Sequence, residues 1–351
     1  MKAKVAFLYG PKDLRVEEVE LPVLRDDQVL IKMHAVGICG SDVECFEGAS
    51  AEGRYDIAPY TPGHEWAGEV VETGSKVTSV KKGMKVTGDC VMACGKCENC
   101  KNGLMPSACL NMRELGFRPD SPGAMGEYMI LEEQYTHPIP DDWDYELGAW
   151  VETFSVGYWG IWGNGGYLDA SDDVVVLGSG PIGLSATMTA KASNAMVIVV
   201  DPLASRRETA LKYGADHVVD PSDGKVVESI NKLTKGKGPS VLVECSGNDK
   251  GIASVFDIAG HSCRVGFIGH SIGRKVSAEL GKVIWKNLRI VGSGGTKTFM
   301  PRTIKFLSRI KDNYDFKALN THRFKFADIH KAFDVACHDK ANARKVMIKF
   351  D

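Results

Sequence analysis

Two textures of apolar and polar positions divide this chain. From about residue 174 to 292, short apolar runs alternate with segments of helical period. VVVLG (174–178), MVIVVD (196–201), VLVEC (241–245), RVGFIG (264–269) and LRIVG (288–292) are apolar at most positions, as strands buried on both faces are. Between them, 181–193, 206–213 and 251–259 read as helices, with Ser205 as N-cap of the second and Gly214 just past its end. In 222–237, Val226, Val227, Ile230 and Leu233 share one helical face. The alternation predicts an α/β fold with a doubly wound parallel sheet covered by helices on both sides. Before about residue 150 the punctuation changes. Gly, Pro and charges break up short runs such as VLIKMHAV (29–36), AGEVVETG (67–74) and GEYMIL (126–131), and KKGMKV (81–86) reads as a turn. That texture predicts a mostly antiparallel, β-rich domain. The tail ends in a strand-like VMIKF (346–350), expected to pack back on the first domain.

Composition removes some function classes. The chain has 351 residues, and 43 Lys+Arg against 45 Asp+Glu leave a net charge of −2. This near-neutral balance lacks the basic stripe of a nucleic-acid or membrane-surface binder. No apolar stretch approaches the roughly 18 residues that span a bilayer. The start carries Lys2 and Lys4 and no signal-peptide core. The expectation is an unprocessed, cytoplasmic protein with no nucleic-acid or membrane partner.

Gly178-Ser179-Gly180-Pro181-Ile182-Gly183 is a G-x-G-x-x-G that follows a strand and opens a helix. Gly178 permits the tight turn, Gly180 lets the backbone approach a pyrophosphate, and Gly183 allows close helix–strand packing. A helix N-terminus there favours an anion. Asp201 ends the next strand, where a carboxylate accepts ribose hydroxyls and repels a 2′-phosphate. NAD is therefore expected over NADP, with Arg206 and Arg207 as residues that soften the preference.

Five of the ten cysteines fall between positions 90 and 109. Cys94, Cys97, Cys100 and Cys109 offer four thiolates, a closed tetrahedral shell for structural zinc. An iron–sulfur run would bring the fourth Cys after three residues and follow it with Pro; the gap is eight, and Leu110 follows. Cys90 is a spare that competes for a ligand position. A second constellation comprises Cys39-Gly40-Ser41-Asp42 and Gly63-His64-Glu65. Neighbours on a strand face opposite ways, so His64 and Glu65 can share a metal only in an irregular turn, which Pro62-Gly63 makes credible.

In this order, followed by Glu152 in a Val-Glu-x-x-Ser setting and the dinucleotide fold, the motifs resemble the zinc-dependent medium-chain dehydrogenases, nearest the sorbitol (polyol) branch. The resemblance implies a GroES-like catalytic domain, 1–152 completed by 293–351, around a Rossmann NAD-binding domain, 153–292. It implies two zinc ions per chain. The catalytic one has Cys39 and His64 as ligands and Glu65 or Glu152 as the third. Ser41 would pass on the alcohol proton. The implied cofactor contacts are Gly178, Gly180, Pro181, Ile182, Gly183, Asp201, Arg206, Ile268, His270 and Ser293. A homodimer or homotetramer is implied as well.

The chain departs from the polyol pattern at four places. The lobe has eight residues before its fourth cysteine where seven are usual. Glu44 stands where relatives carry a relay His, and Cys45 where they often carry Tyr. Ser293-Gly294-Gly295-Thr296-Lys297 replaces a stretch with a substrate-side Arg. Basic residues lie nearby in sequence instead, namely Arg113, Arg118, Lys297 and Arg302. The expected activity is oxidation of a secondary hydroxyl of a polyol, sugar acid or cyclitol, with a sugar acid preferred to sorbitol. A threonine 3-dehydrogenase-like or simple alcohol dehydrogenase is the alternative within the class. A non-catalytic NAD-binding scaffold with structural zinc only is the alternative outside it.

Overall fold

A computed structural model of the chain describes residues 1–49, 58–163, 167–269, 275–292 and 299–351. The chain divides into two compact units, Met1–Glu152 with Gly294–Asp351, and Thr153–Ser293.

The first unit is built on a seven-stranded sheet. Its strands run in the order Asn320–Lys325, Lys345–Lys349, Gln28–Gly37, Glu65–Thr73, Lys85–Gly88 and Thr136–Pro138, and Tyr128–Glu132 also pairs with Gln28–Gly37. The central strand Gln28–Gly37 is buried at most positions because three strands pair with it. Val29, Ile31, Met33, Trp66, Val70, Met125, Leu131, Phe333 and Ile348 form the core on this sheet. The C-terminal strand pairs antiparallel with Gln28–Gly37, with Met347 opposite Gly37. That pairing fixes Lys345 near the loop after residue 37. An N-terminal hairpin, Lys2–Gly10 with Asp13–Glu20, went unread in the sequence because its outer face is polar and exposed. The helix Tyr145–Trp162 also escaped, since it is apolar nearly all round and shows no 3.6-residue stripe.

The second unit holds a six-stranded, all-parallel sheet. Its order is His217–Val219, Met196–Val200, Asp173–Leu177, Val241–Glu244, Arg264–Phe267 and Arg289–Gly292. Chain order reverses between Asp173–Leu177 and Val241–Glu244, the place where doubly wound sheets bind ligands. One expected boundary moves: the helix after the second strand starts at Ala204 with Leu203 as cap, not after Ser205. Among the described residues no helix is long and apolar enough to cross a membrane.

Candidate active site

Cys39 follows the central strand and caps the helix Gly40–Glu47. Asp42, in the first turn of that helix, is only 1% exposed. Its carboxylate accepts the backbone N–H of Cys39 at 2.9 Å and of Gly63 at 3.3 Å, and its Oδ1 lies 3.6 Å from His64 Nδ1. One buried acid thus fastens the Cys39 turn to the Gly63–His64 turn. Gly63 has φ +98°, which glycine adopts without strain, and a Cβ there would strike Met125. The irregular turn overrides strand alternation. His64 and its neighbour Glu65 both reach Cys39, and the ligand atoms of the three lie within 4.8 Å of one another.

Of the two glutamates that the sequence left open, Glu65 is the one in this convergent set. Glu152 is buried, and its carboxyl is pushed up to about 7 by burial and by the charges of Glu65 and Asp42. Burial opposes a charged His64, but Asp42, Cys39 and Glu152 outweigh it and hold the imidazole well above its usual range. Ser41 is partly buried in the first helical turn.

Two residues of this site were given no role from the sequence. Asp42 was visible as part of a motif and, in hindsight, as an acid three residues after a helix cap. Lys345 was not visible at all. It is 4% exposed, and its Nζ stands 2.5 Å from Glu65 Oε2 and 5.4 Å from the Trp150 ring centre. Cys90 does not join the four-cysteine set. It is buried, and its thiol is raised by burial and by the charges of Glu152, Glu114, Cys39 and Asp42, three of which belong to the Cys39 centre.

Cys94, Cys97, Cys100 and Cys109 bring their sulfurs within 4.8 Å of one another. Cys97 Sγ lies 3.4 Å from Cys100 Sγ and 3.9 Å from Cys109 Sγ. Four thiolates about 2.3 Å from one tetrahedral zinc would stand about 3.8 Å apart. Backbone N–H groups point at the sulfurs: Cys94 and Asn111 donate to Cys109, and Cys97 donates to Cys94. N–H groups of Lys96 and Cys97 draw the Cys94 thiol down to about 6.

In the second unit, Gly178 has φ +91° and Gly180 caps the helix Pro181–Lys191, with Pro181 at its first position. A Cβ on Gly183 would lie 1.9 Å from the Gly178 carbonyl oxygen, so only glycine lets the helix start this close. Ile182 is partly buried in the same first turn. Asp201 is 3% exposed, and its oxygens accept the N–H of Ser179 at 2.8 Å and of Leu203 at 2.9 Å. A carboxylate has about four acceptor directions, so among the described residues these two bonds leave it capacity to accept further donors. Arg207 is tied to Asp220 at 2.8 Å, while Arg206 is partly buried and its carbonyl accepts from Ser179 Oγ. Ile268 N–H bonds to the Glu244 carbonyl just after its strand. His270, Ser293 and Lys297 lie outside the described residues.

The basic residues read as substrate contacts have other partners. Arg113 bonds to Glu132 at 2.8 Å, Arg118 bonds to Asp120 at 3.0 Å, and Arg302 is exposed beside Phe299. The charges of Arg113 and Arg118 are taken up by acids within this unit.

Two family models match the chain, an alcohol dehydrogenase GroES-like domain over residues 25–141 and a zinc-binding dehydrogenase over residues 181–309. A sorbitol dehydrogenase of Bacillus subtilis is 30% identical over 98% of this chain and 96% of its own length. An L-threonine 3-dehydrogenase of Rhizobium etli is 31% identical over 92% of this chain and 91% of its own. An alcohol dehydrogenase of Escherichia coli, solved with NADH, superimposes with a TM-score of 0.89 at 27% identity over 99% of both chains. The four-sulfur set fits a structural zinc, and the three-donor Cys39–His64–Glu65 set fits a catalytic one. With both halves matched and both donor sets in place, the chain belongs to the zinc-dependent medium-chain dehydrogenases, on their sorbitol dehydrogenase side.

Proposed function

We propose that this enzyme reversibly oxidises a secondary hydroxyl of a polyol, sugar acid or cyclitol to the ketone, with NAD as hydride acceptor. The observation that carries this is the convergence of Cys39, His64 and Glu65, a polyol-type donor set, on one point. Zinc held by these three supplies Lewis acidity that lowers the pKa of a bound alcohol. Asp42 keeps the Cys39 and His64 turns in register, and the Ser41 hydroxyl receives the alcohol proton and passes it on. NAD is favoured over NADP because the Asp201 carboxylate would accept ribose hydroxyls and repel a 2′-phosphate, and Arg207 is engaged by Asp220. The enzyme works in the cytoplasm, where ten cysteines that form no disulfide stay reduced.

The chain also assembles with its own copies as a dimer or tetramer. The strand Arg289–Gly292 ends its sheet, and the nearby Leu280, Ile284 and Trp285 are 68%, 85% and 78% exposed. Such an edge and apolar patch suit a second copy.

The test is a screen of hexitols, hexonates, inositols, simple secondary alcohols and L-threonine with NAD and with NADP, following reduced-cofactor absorbance, beside a zinc assay. Two zinc per chain and turnover of a multi-hydroxyl compound with NAD are expected. Threonine as the best substrate would move the enzyme to the threonine dehydrogenases, which the 31% identical relatives favour as second reading. One zinc and no turnover would leave a scaffold.

A further inference from the structure

Glu244 is the last residue of its strand, in register with Leu177 and Phe267 of the neighbouring strands. It is 0% exposed. Its side-chain partners among the described residues are all uncharged and belong to one turn. Oε1 accepts the Ser246 N–H at 2.9 Å and the Ser246 hydroxyl, and Oε2 accepts the Gly247 N–H at 3.3 Å. Its main-chain oxygen accepts the N–H groups of Ile268 at 3.0 Å and Gly269 at 3.1 Å. One residue therefore ties the loops that follow two adjacent strands.

A third loop closes against this turn. A Cβ on Gly178 would lie 2.8 Å from Ser246 Cα, one on Gly247 would lie 1.9 Å from the Gly269 oxygen, and one on Gly269 would lie 2.5 Å from the Gly247 nitrogen. The three loops thus meet backbone to backbone at the carboxyl edge of the sheet, beside the reversal of strand order. Any change in the 245–247 turn is passed directly to Gly178 and to Ile268. Burying a carboxylate among neutral dipoles is costly, and a turn by itself needs only a Ser or Asn. A carboxylate is a pure acceptor and can serve all three donors at once.

We propose that Glu244 is a positioning residue for the dinucleotide. It fixes the 245–247 turn and so sets the spacing of the three loops on which the cofactor lies. This rests on the NAD reading above.

Glu244→Gln keeps the shape but turns an amide NH₂ towards N–H donors. Glu244→Asp keeps the charge and, as an Asx turn, the bond to the Ser246 N–H. In the zinc-loaded enzyme, the Gln variant should bind NADH about tenfold more weakly by fluorescence titration, with KM for NAD raised in step. Its kcat at saturating NAD should stay within about threefold of the parent, a split that general unfolding does not give. The Asp variant should recover binding to within about threefold. Ser246→Ala, which removes one donor and leaves the chain folded, should weaken NADH binding by a few-fold. Parent-like affinity in the Gln variant, or an Asp variant as weak as Gln, overturns the assignment. A parent that binds no NADH would instead sink the cofactor reading, and this inference with it.

Discussion

The four-sulfur lobe draws every ligand from Cys94 to Cys109, whereas the Cys39 centre gathers its parts from residues 39–42, 63–65, 152 and 345. Three of the four lobe cysteines are partly exposed, and their sulfurs receive backbone N–H groups and Asn111. At the Cys39 centre, Asp42, His64, Glu65 and Lys345 are all at most 4% exposed. Buried charges of this kind persist only when each is matched, because removing one partner strands the other. The lobe is a short-range object, held by the turn it sits in. The Cys39 centre is a long-range object, held by the pairing of the central strand with its neighbours. The contrast separates a four-donor shell suited to stability from a three-donor one suited to chemistry.

The sharpest test of that contrast is Cys39→Ser, which exchanges a thiolate for a weak neutral ligand. Turnover should fall by well over about 100-fold, since even outer partners of a metal ligand cost 10–100-fold. Metal analysis should find one zinc per chain in place of two, with the melting temperature almost unmoved. A variant that retains turnover would show that the chemistry lies elsewhere. Asp42→Asn is the next step down. It keeps the shape but loses the charge beside His64 and sets an NH₂ against one of two backbone donors. Activity or affinity for the second zinc should fall about 10–100-fold, while the lobe zinc stays bound.

Cys97→Ser should do the reverse. Three thiolates and an open position hold zinc poorly, and that binding energy is folding energy. The melting temperature should drop by roughly 5–10 °C in calorimetry, and the folded fraction should turn over within about twofold of the parent. If this variant lost turnover as completely as Cys39→Ser, the division between the two centres would fail.

The range of each interaction also decides how much was legible in the sequence. The four-cysteine lobe and the glycine loop are local patterns, and both stand where their spacing put them. Asp42 contacts Gly63 across 21 residues, and Lys345 contacts Glu65 across 280. No periodicity connects such positions, so a lysine just before an apolar tail strand reads as a surface charge. The same blindness works in the other direction. Arg113 looked available for a substrate carboxylate until the fold placed Glu132 beside it. Cys90 looked like a spare for the lobe because it is near in sequence, but three of the four charges that act on it belong to the other centre. The parallel sheet was legible because strands buried on both faces leave continuous apolar runs. The helix Tyr145–Trp162 was not, because burial all round erases the stripe that marks a helix.

That helix carries the contrast between environments in its smallest form. Near its start, Glu146 accepts Arg323 through both oxygens at 2.8–3.0 Å and Asn320 at 2.9 Å, with Lys349 at 3.1 Å. Burial works against its charge, but Arg323, Asn320 and Lys349 carry its carboxyl down from the ordinary 4.5 to about 2. Further along the same helix, Glu152 goes to about 7 because burial, with the charges of Glu65 and Asp42, outweighs the lowering pull of His64 and Lys345. A carboxyl lowered on folding stabilises the chain above its unfolded pKa, and this stability is lost as pH falls through the folded value. Arg323 is 40% exposed at its side chain, so solvent screening keeps the contribution to about 1 kcal/mol. Glu146→Gln should therefore lower the melting temperature by about 2–4 °C at pH 7. The gap between parent and variant should narrow as pH falls from about 4.5 towards 2, because the parent then loses the same charge. A gap that stayed constant over that window would mean that Glu146 acts through shape rather than charge, and that the two glutamates of this helix do not differ in the way their surroundings indicate.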